Sequence, residues 1–193
     1  MLALRANDDR WLAEVLTYVR NGFGNSAGAI TPEQVAAVRA RAGEHPAPYA
    51  LAELAPWLAI PASQTRGWTF TASHNLELAP RAGDGDRGTR WVSGAPQAPG
   101  QWFQVDMGAP WRLTHLTLDA GTSRRDYPRG FSVQASADGQ HWTVVAEGQG
   151  GVLTEVDLAG GVTTRWLRIV LTASDPGGPF WAIHELTLFG THG

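Results

Sequence analysis

Residues 130–148 read GFSVQASADGQHWTVVAEG, and the fold turns on this stretch. Phe131, Val133 and Ala135 occupy every second position, the period at which successive side chains leave a strand on opposite faces. Asp138-Gly139 follows, and then a second run of β-formers from Trp142 to Glu147. Both turn residues tolerate positive φ, so the pair predicts a hairpin between two antiparallel strands. A hairpin with one apolar face needs a second layer to cover it.

The same pattern recurs on either side. Gln101–Met107, Leu113–Asp119, Arg165–Thr172 and Ile183–Phe189 are runs of β-formers punctuated by Gly, Asp, Asn and Pro. Leu116 and Leu118 are predicted to face inward while His115 and Thr117 face out. Leu167, Ile169 and Leu171 share a face in the same way. Many short strands with few helices between them predict an all-β antiparallel sandwich or barrel from about residue 62 to residue 191. Trp68, Trp91, Trp102 and Trp142 are expected in its core; the alternation leaves Trp57, Trp111 and Trp166 undecided. No repeat of 20–50 residues is visible.

Residues 1–55 read as a separate helical segment. Asn7 is expected to cap a first helix, with Asp8 and Asp9 in its first turn. Leu12, Val15, Leu16 and Val19 follow at helical spacing, and Gly22 and Gly24 stop it. Thr31-Pro32-Glu33-Gln34 predicts a second start, with Thr31 as cap, Pro32 in the first position and Gln34 reaching back. Gly43 ends that helix, His45–Pro48 breaks the chain, and a short turn around Leu51–Leu54 precedes a boundary between about residues 55 and 66.

Composition narrows the function. The 193 residues carry a net charge of −3, so no basic surplus points to nucleic acid, and the acidic balance argues against an anionic membrane. There are no cysteines, which excludes disulfides, thiolate metal sites, cysteine nucleophiles and covalent haem attachment. No apolar run reaches the roughly 18 residues of a membrane span. The first residues lack the basic start and apolar stretch of a secretory signal. The six histidines are scattered, no nucleophile-elbow, zinc-protease, dinucleotide or phosphate-loop motif is present, and catalysis is not expected.

Six stretches carry a resemblance: WTFTASHN at 68–75, DGDRGTRW at 84–91, QWFQVDMG at 101–108, SADGQHW at 136–142, RWLRI at 165–169 and IHEL at 183–186. In this order and spacing they resemble the discoidin, or coagulation factor 5/8 type C, family, which includes the family 32 carbohydrate-binding modules of bacteria. The resemblance implies an eight-stranded jelly-roll sandwich of the galactose-binding-domain kind, a structural calcium and a ligand site in loops at one end. Residues 16–25 (LTYVRNGFGN) and 31–35 (TPEQV) look like the last helix and tail of a bacterial class I cytochrome c domain without its haem motif, so no haem is expected. The chain thus reads as the C-terminal piece of a longer extracytoplasmic protein.

The resemblance places calcium at Asp84, Asp86, Thr89 and Glu185 with the Ala82 carbonyl; Asp86 is expected to ligate through its carbonyl. A hard cation wants six to eight oxygens, and Asp-Gly-Asp followed by Thr concentrates them in one turn. The bland alternative is a solvated Asp-Gly turn. For a glycan, the resemblance points to three contributors: the loop holding Arg124, Arg125 and Asp126, an aromatic at Phe180 or Trp181, and His74 or Asn75. Sugars take an aromatic face against their C–H side and charged or amide groups on their hydroxyls. The bland alternatives are a solvated loop with a weak ion pair and, for Trp181, sandwich core. Val92 stands where galactose-binding members often carry His, which speaks against galactose in the usual pose. The expected function is non-catalytic targeting of a larger protein to glycans. The alternative is a structural protein–protein module that docks against its parent's other domains and binds no sugar, and membrane adhesion through Phe180-Trp181 is a third.

Overall fold

The computed structural model describes residues 7–22, 28–42, 54–175 and 178–192. The chain divides into two compact units, Met1–Glu53 and Leu54–Gly193.

In the first unit, α1 spans Asp9–Asn21. Its cap is Asp8, whose carboxylate accepts from the Trp11 N–H at 2.7 Å; the expected cap at Asn7 is one residue early. Asp8 wins because its oxygen reaches the third N–H beyond it, while the Asn7 carbonyl accepts from the Arg39 guanidinium at 2.6 Å. The second helix, α2, spans Pro32–Ala42. The reciprocal cap forms as expected: the Thr31 N–H donates to Gln34 Oε1 at 2.9 Å, and the Gln34 N–H to Thr31 Oγ1 at 3.3 Å. Ala13 and Val35 are buried, whereas Leu16 and Val19 remain exposed. Gly24, Gly43, His45–Pro48 and Leu51 lie outside the described residues. No helix among the described residues is long and apolar enough to cross a membrane.

The second unit opens with a 3₁₀ turn at Ala55–Trp57 and a short helix, α3, at Ala62–Thr65. Eight strands follow: β1 Thr69–Ala72, β2 Trp91–Pro96, β3 Trp102–Asp119, β4 Phe131–Ser136, β5 Thr143–Gly148, β6 Leu153–Leu171, β7 Phe180–Ile183 and β8 Glu185–His192. They form an antiparallel β-sandwich. One sheet runs β1-β3-β6-β4-β5 with β8 also on β3, and β2 and β7 make a second, two-stranded sheet. β3 and β6 are the two long strands of the six-stranded sheet. The first half of β3 pairs with β1, and its second half with β8. β6 stays beside β3 along both halves.

The change of partner in β3, from β1 to β8, falls at Met107–Pro110, where pairing with β6 lapses between Asp106 and Trp111. Gly108 sits there at φ +76°, a conformation that costs a glycine little. The Asp106 carboxylate accepts the Gly108 N–H at 2.9 Å and is clamped by Arg165 at 2.7 and 2.8 Å. One apolar cluster fills the space between layers, drawing Phe103 and Val105 from one half of β3 and Leu113 and Leu116 from the other. Phe131, Val133, Leu167, Ile169 and Leu171 join it on the expected faces.

Two expectations need correction. Trp102 and Trp142 are only half-buried: they lie on the outer face and stack on the Arg168 guanidinium, with centroids 5.1 and 3.8 Å from its carbon. Strand alternation explains Trp102, which is out of phase with the buried Phe103 and Val105. The β4–β5 connection also differs from a two-residue turn. Only Gly139 has positive φ (+74°), while Asp138 Oδ1 accepts the N–H groups of Gln140 and His141 at 2.8 Å. The side chain thus supports a wider loop.

Candidate functional site

Two neighbouring loop regions hold the candidate residues. The first begins at Asn75, which is left-handed at φ 45° and opens a 3₁₀ segment, Leu76–Gly83. That segment delivers the chain into the Asp84–Thr89 turn. Asp84 Oδ1 accepts the Asp86 N–H at 2.8 Å, and Asp84 Oδ2 accepts the Thr89 hydroxyl at 2.8 Å. The Asp86 and Arg81 carbonyls also approach that hydroxyl, at 3.1 and 3.4 Å. The Asp86 carboxylate turns away to the Gly88 N–H at 2.8 Å, so this residue offers its carbonyl to the cluster. Ala82 is fully buried next to Arg81.

Glu185, at the start of β8, completes the group. Its Oε2 is buried with no hydrogen-bond partner among the described residues. Burial pushes its carboxyl up to about 7, the Asp84 and Asp119 charges add to this, and the Gly85 N–H and Arg87 oppose it. A buried oxygen without a partner, beside a second carboxylate and converging carbonyls, fits a hard cation. Among the described residues no three His, Cys, Asp or Glu side chains converge as a metal cluster. A cation here would therefore depend on carbonyl and hydroxyl oxygens as well as on Asp84 and Glu185.

The second region is the loop end around β2 and β7. The Asn75 amide donates to the Val92 carbonyl at 2.8 Å, Val92 pairs with Ala182, and the Ala182 N–H donates to the Asp126 carbonyl at 2.8 Å. This chain of bonds brings the His74–Asn75 loop, the 122–129 loop and the start of β7 to one end of the molecule. His74 is exposed, with Nδ1 2.9 Å from the Ser73 hydroxyl. Arg124 and Arg125 are exposed, and Asp126 is half-buried. Phe180 is 42% exposed.

Trp181 is a correction. It is fully buried, and its ring meets Trp91 edge-on at 4.9 Å. Within β7 only Phe180 reaches solvent, so the stacking aromatic available at this end is Phe180, and Trp181 belongs to the core. Asn75 spends its amide on Val92, which makes it a scaffold for the end.

Several residues that sequence reading missed shape this loop. Gln97 is 2% exposed; its Nε2 donates to the Tyr127 and Phe180 carbonyls at 2.9 and 3.4 Å, and its Oε1 accepts the Arg129 N–H at 3.0 Å. Arg129 in turn donates to Asp175 at 2.8 Å and lies 4.3 Å over the Tyr127 ring. Gln97 sits in a Pro- and Gly-rich stretch that reads as a turn, so nothing local marks it. His184, buried to 2% exposure, links the two regions. Its Nδ1 is 3.0 Å from the Arg87 carbonyl and its Nε2 3.1 Å from the Ser123 hydroxyl. A carbonyl only accepts, so in the neutral ring Nδ1 carries the proton and Nε2 accepts from Ser123.

Comparison with known proteins agrees with this geometry. The chain is similar in fold to CpGH89CBM32-5 from Clostridium perfringens, solved with GalNAc-β-1,3-galactose (TM-score 0.58, 19% identity, 68% of this chain and 99% of that one). It is also similar to the family 32 carbohydrate-binding module of C. perfringens NanJ, solved with galactose (TM-score 0.55, 21% identity, 67% and 96%). A chitosan-binding module derived from a chitosanase/glucanase of Paenibacillus sp. IK-5 matches at TM-score 0.54 and 25% identity over 66% of this chain and 97% of that one. No curated protein sequence matches. The F5/8 type C domain model matches residues 60–186, about two-thirds of the chain, from before β1 to the first two residues of β8, and the chain belongs to that family.

Proposed function

We propose that this chain is a non-catalytic glycan-binding module whose site is the loop end formed by His74, Arg124, Arg125, Asp126 and Phe180. The observation that carries the reading is the bridge across β2 and β7, which ties the strand that begins with the exposed Phe180 to the loop that carries the exposed Arg124 and Arg125. Phe180 offers a ring face to the C–H side of a sugar, and the arginines and Asp126 address its hydroxyls. The solved complexes of similar modules with GalNAc-β-1,3-galactose and with galactose support a carbohydrate ligand. Val92, in place of a histidine, favours a pose or sugar other than the usual galactose.

Calcium at Asp84, Asp86, Thr89 and Glu185 would be structural, neutralising the excess carboxylate charge and pinning the turn whose Arg87 carbonyl is linked through His184 to Ser123 beside the ligand loop. The module would tether a larger extracytoplasmic protein to glycans. In support, a similar fold occupies 14% of a C. perfringens family 89 glycoside hydrolase. The resemblance of the helical unit to the end of a cytochrome c domain is part of the same proposal, as a remnant of that larger protein.

The test is a glycan array probed with the full chain in calcium. Binding to a defined glycan, lost in Phe180→Ala with an unchanged melting temperature, supports the reading. A folded protein that ignores every glycan, or a Phe180→Ala variant that binds as well as the parent, overturns it.

A further inference from the structure

The loop end is not the one place where this unit displays an aromatic beside hydrogen-bonding groups. Between β3, β6 and the 3₁₀ turn, Trp57, Arg112, Thr114, Asp157, Leu158 and the Gly160–Gly161 backbone line a cavity of about 220 Å³. Trp57 is 58% exposed. Arg112 and Asp119 both lie on β3, seven residues apart. At about 3.3 Å per residue the cavity is therefore roughly 20 Å from the loops that follow Asp119. A single sugar ring cannot span the two.

The cavity is built by irregularities that an ordinary ladder would not contain. Between Leu113–Val162 and His115–Asp157 the register slips, so the four residues 158–161 of β6 face Thr114 alone. Against β8 the slip is in the other direction, with Thr114 unmatched between the Gly190 and Phe189 pairs. Two bulges thus converge on one residue, and bulges re-aim side chains at functional places. Gly160 and Gly161 take φ +74° and +80°. The Arg112 guanidinium lies against Gly161, where an added Cβ would come within 2.8 Å of its carbon, and it donates to the Gly160 carbonyl at 2.7 Å. Arg112 is thereby held in one orientation at the rim. Trp57 is placed by two bonds along β8: the Gly190 N–H to the Leu58 carbonyl at 3.3 Å and the Ile60 N–H to the Leu188 carbonyl at 2.8 Å. Asp157 is exposed.

We infer that this cavity is a second glycan site, taking one hexopyranose unit with its apolar face on Trp57 and adjacent hydroxyls between Arg112 and Asp157. An aromatic face with a fixed cation and a free-standing carboxylate is the chemistry that recognises a neutral sugar. The volume lies below the roughly 300 Å³ at which pockets for drug-sized ligands begin, which suits one ring and not an extended chain. Two sites on opposite ends of one module give it the capacity to engage two chain segments of a polysaccharide, where effective concentration multiplies weak contacts.

The inference is independent of the loop-end reading and is tested separately from it. Isotope-labelled full chain is titrated with methyl β-galactoside, methyl β-glucoside and N,N′-diacetylchitobiose, and the indole and backbone N–H resonances are followed. The expected result is a saturable shift of the Trp57 indole and of the Asp157, Gly160 and Gly161 amides with at least one probe. That shift persists in Phe180→Ala, disappears in Trp57→Ala, and needs at least tenfold more probe in Asp157→Asn, a surface change that leaves the fold intact. The inference is overturned if none of the three probes moves these resonances, if the shift vanishes in Phe180→Ala, or if Asp157→Asn titrates like the parent.

Discussion

Neutralising Glu185 should stabilise the calcium-free protein and abolish its response to calcium. The carboxyl is buried, has an oxygen without a partner and sits near Asp84. Its ordinary value of 4.5 rises to about 7, which at 1.36 kcal/mol per pKa unit sets a ceiling of about 3 kcal/mol. Glu185 keeps some contact with water, so screening lowers the figure to about 1–2 kcal/mol. For a unit of this size that corresponds to about 3–8 °C in melting temperature. A carboxyl raised in the folded state binds its proton more tightly there than in the unfolded chain. Its contribution is therefore complete below 4.5 and is lost as pH climbs through about 7. In EDTA the parent should melt higher at pH 5 than at pH 8, and Glu185→Gln should melt about 3–8 °C above the parent at pH 8 while converging with it at pH 5. Calcium at pH 8 should raise the parent and leave the variant unmoved, because a ligand that binds the folded state alone stabilises it. Scanning calorimetry at the two pH values, with and without calcium, reads all four conditions. Equal melting of parent and variant in EDTA at pH 8 refutes the electrostatic account, and a calcium response that survives in Glu185→Gln refutes the ligand assignment.

Three further outcomes follow from the packing. Trp181→Ala should cost about 3–5 kcal/mol by thermal or urea unfolding, since it empties the core beside Trp91, whereas Phe180→Ala should change stability little and weaken glycan retention on an affinity gel. Gln97→Leu should cost about 1–3 kcal/mol because it leaves the Arg129 N–H without its partner, while the Tyr127 carbonyl keeps only its bond from the Arg129 guanidinium; amide exchange in residues 122–129 should quicken, and glycan affinity should fall with it. His184→Phe removes the link between the Arg87 carbonyl and the Ser123 hydroxyl, so chelating calcium should weaken glycan binding in the parent and have no further effect in the variant.

The hairpin at β4 and β5 was legible because Phe131, Val133 and Ala135 alternate without interruption. The long strands were not. β3 reads as two runs because Gly108 and Pro110 resemble a break, yet both fall where the strand changes partner from β1 to β8 and tolerates a lapse in pairing. The first half of β6, from Leu153, was missed because Gly160 and Gly161 interrupt its alternation; they form a bulge instead of ending the strand. β2 was missed because Ser93-Gly94-Ala95-Pro96 has low β-propensity, and it is held by pairing with β7. At the candidate site, Asp84 and Thr89 are close to one another as their spacing suggested, and Glu185 lies near Asp84, a neighbour that only the family resemblance implied. Trp181 could not be separated from Phe180 by sequence alone, because adjacent aromatics give no indication of which one the core will take. Gln97 and His184 act across 30 and more residues, and no short-range pattern records such partners.

β3 and β6 run side by side along both of their halves and tie β1, β4, β5 and β8 into one six-stranded sheet, so no part of that sheet can detach while the rest survives. The sheet therefore has no mechanical seam. Pulling on its ends, or exposing it to a protease, should release the whole sandwich in one step, with core amides from Phe103 to Leu118 exchanging only through global unfolding. If the module tethers its parent as proposed, that all-or-none resistance makes its grip as durable as the fold itself.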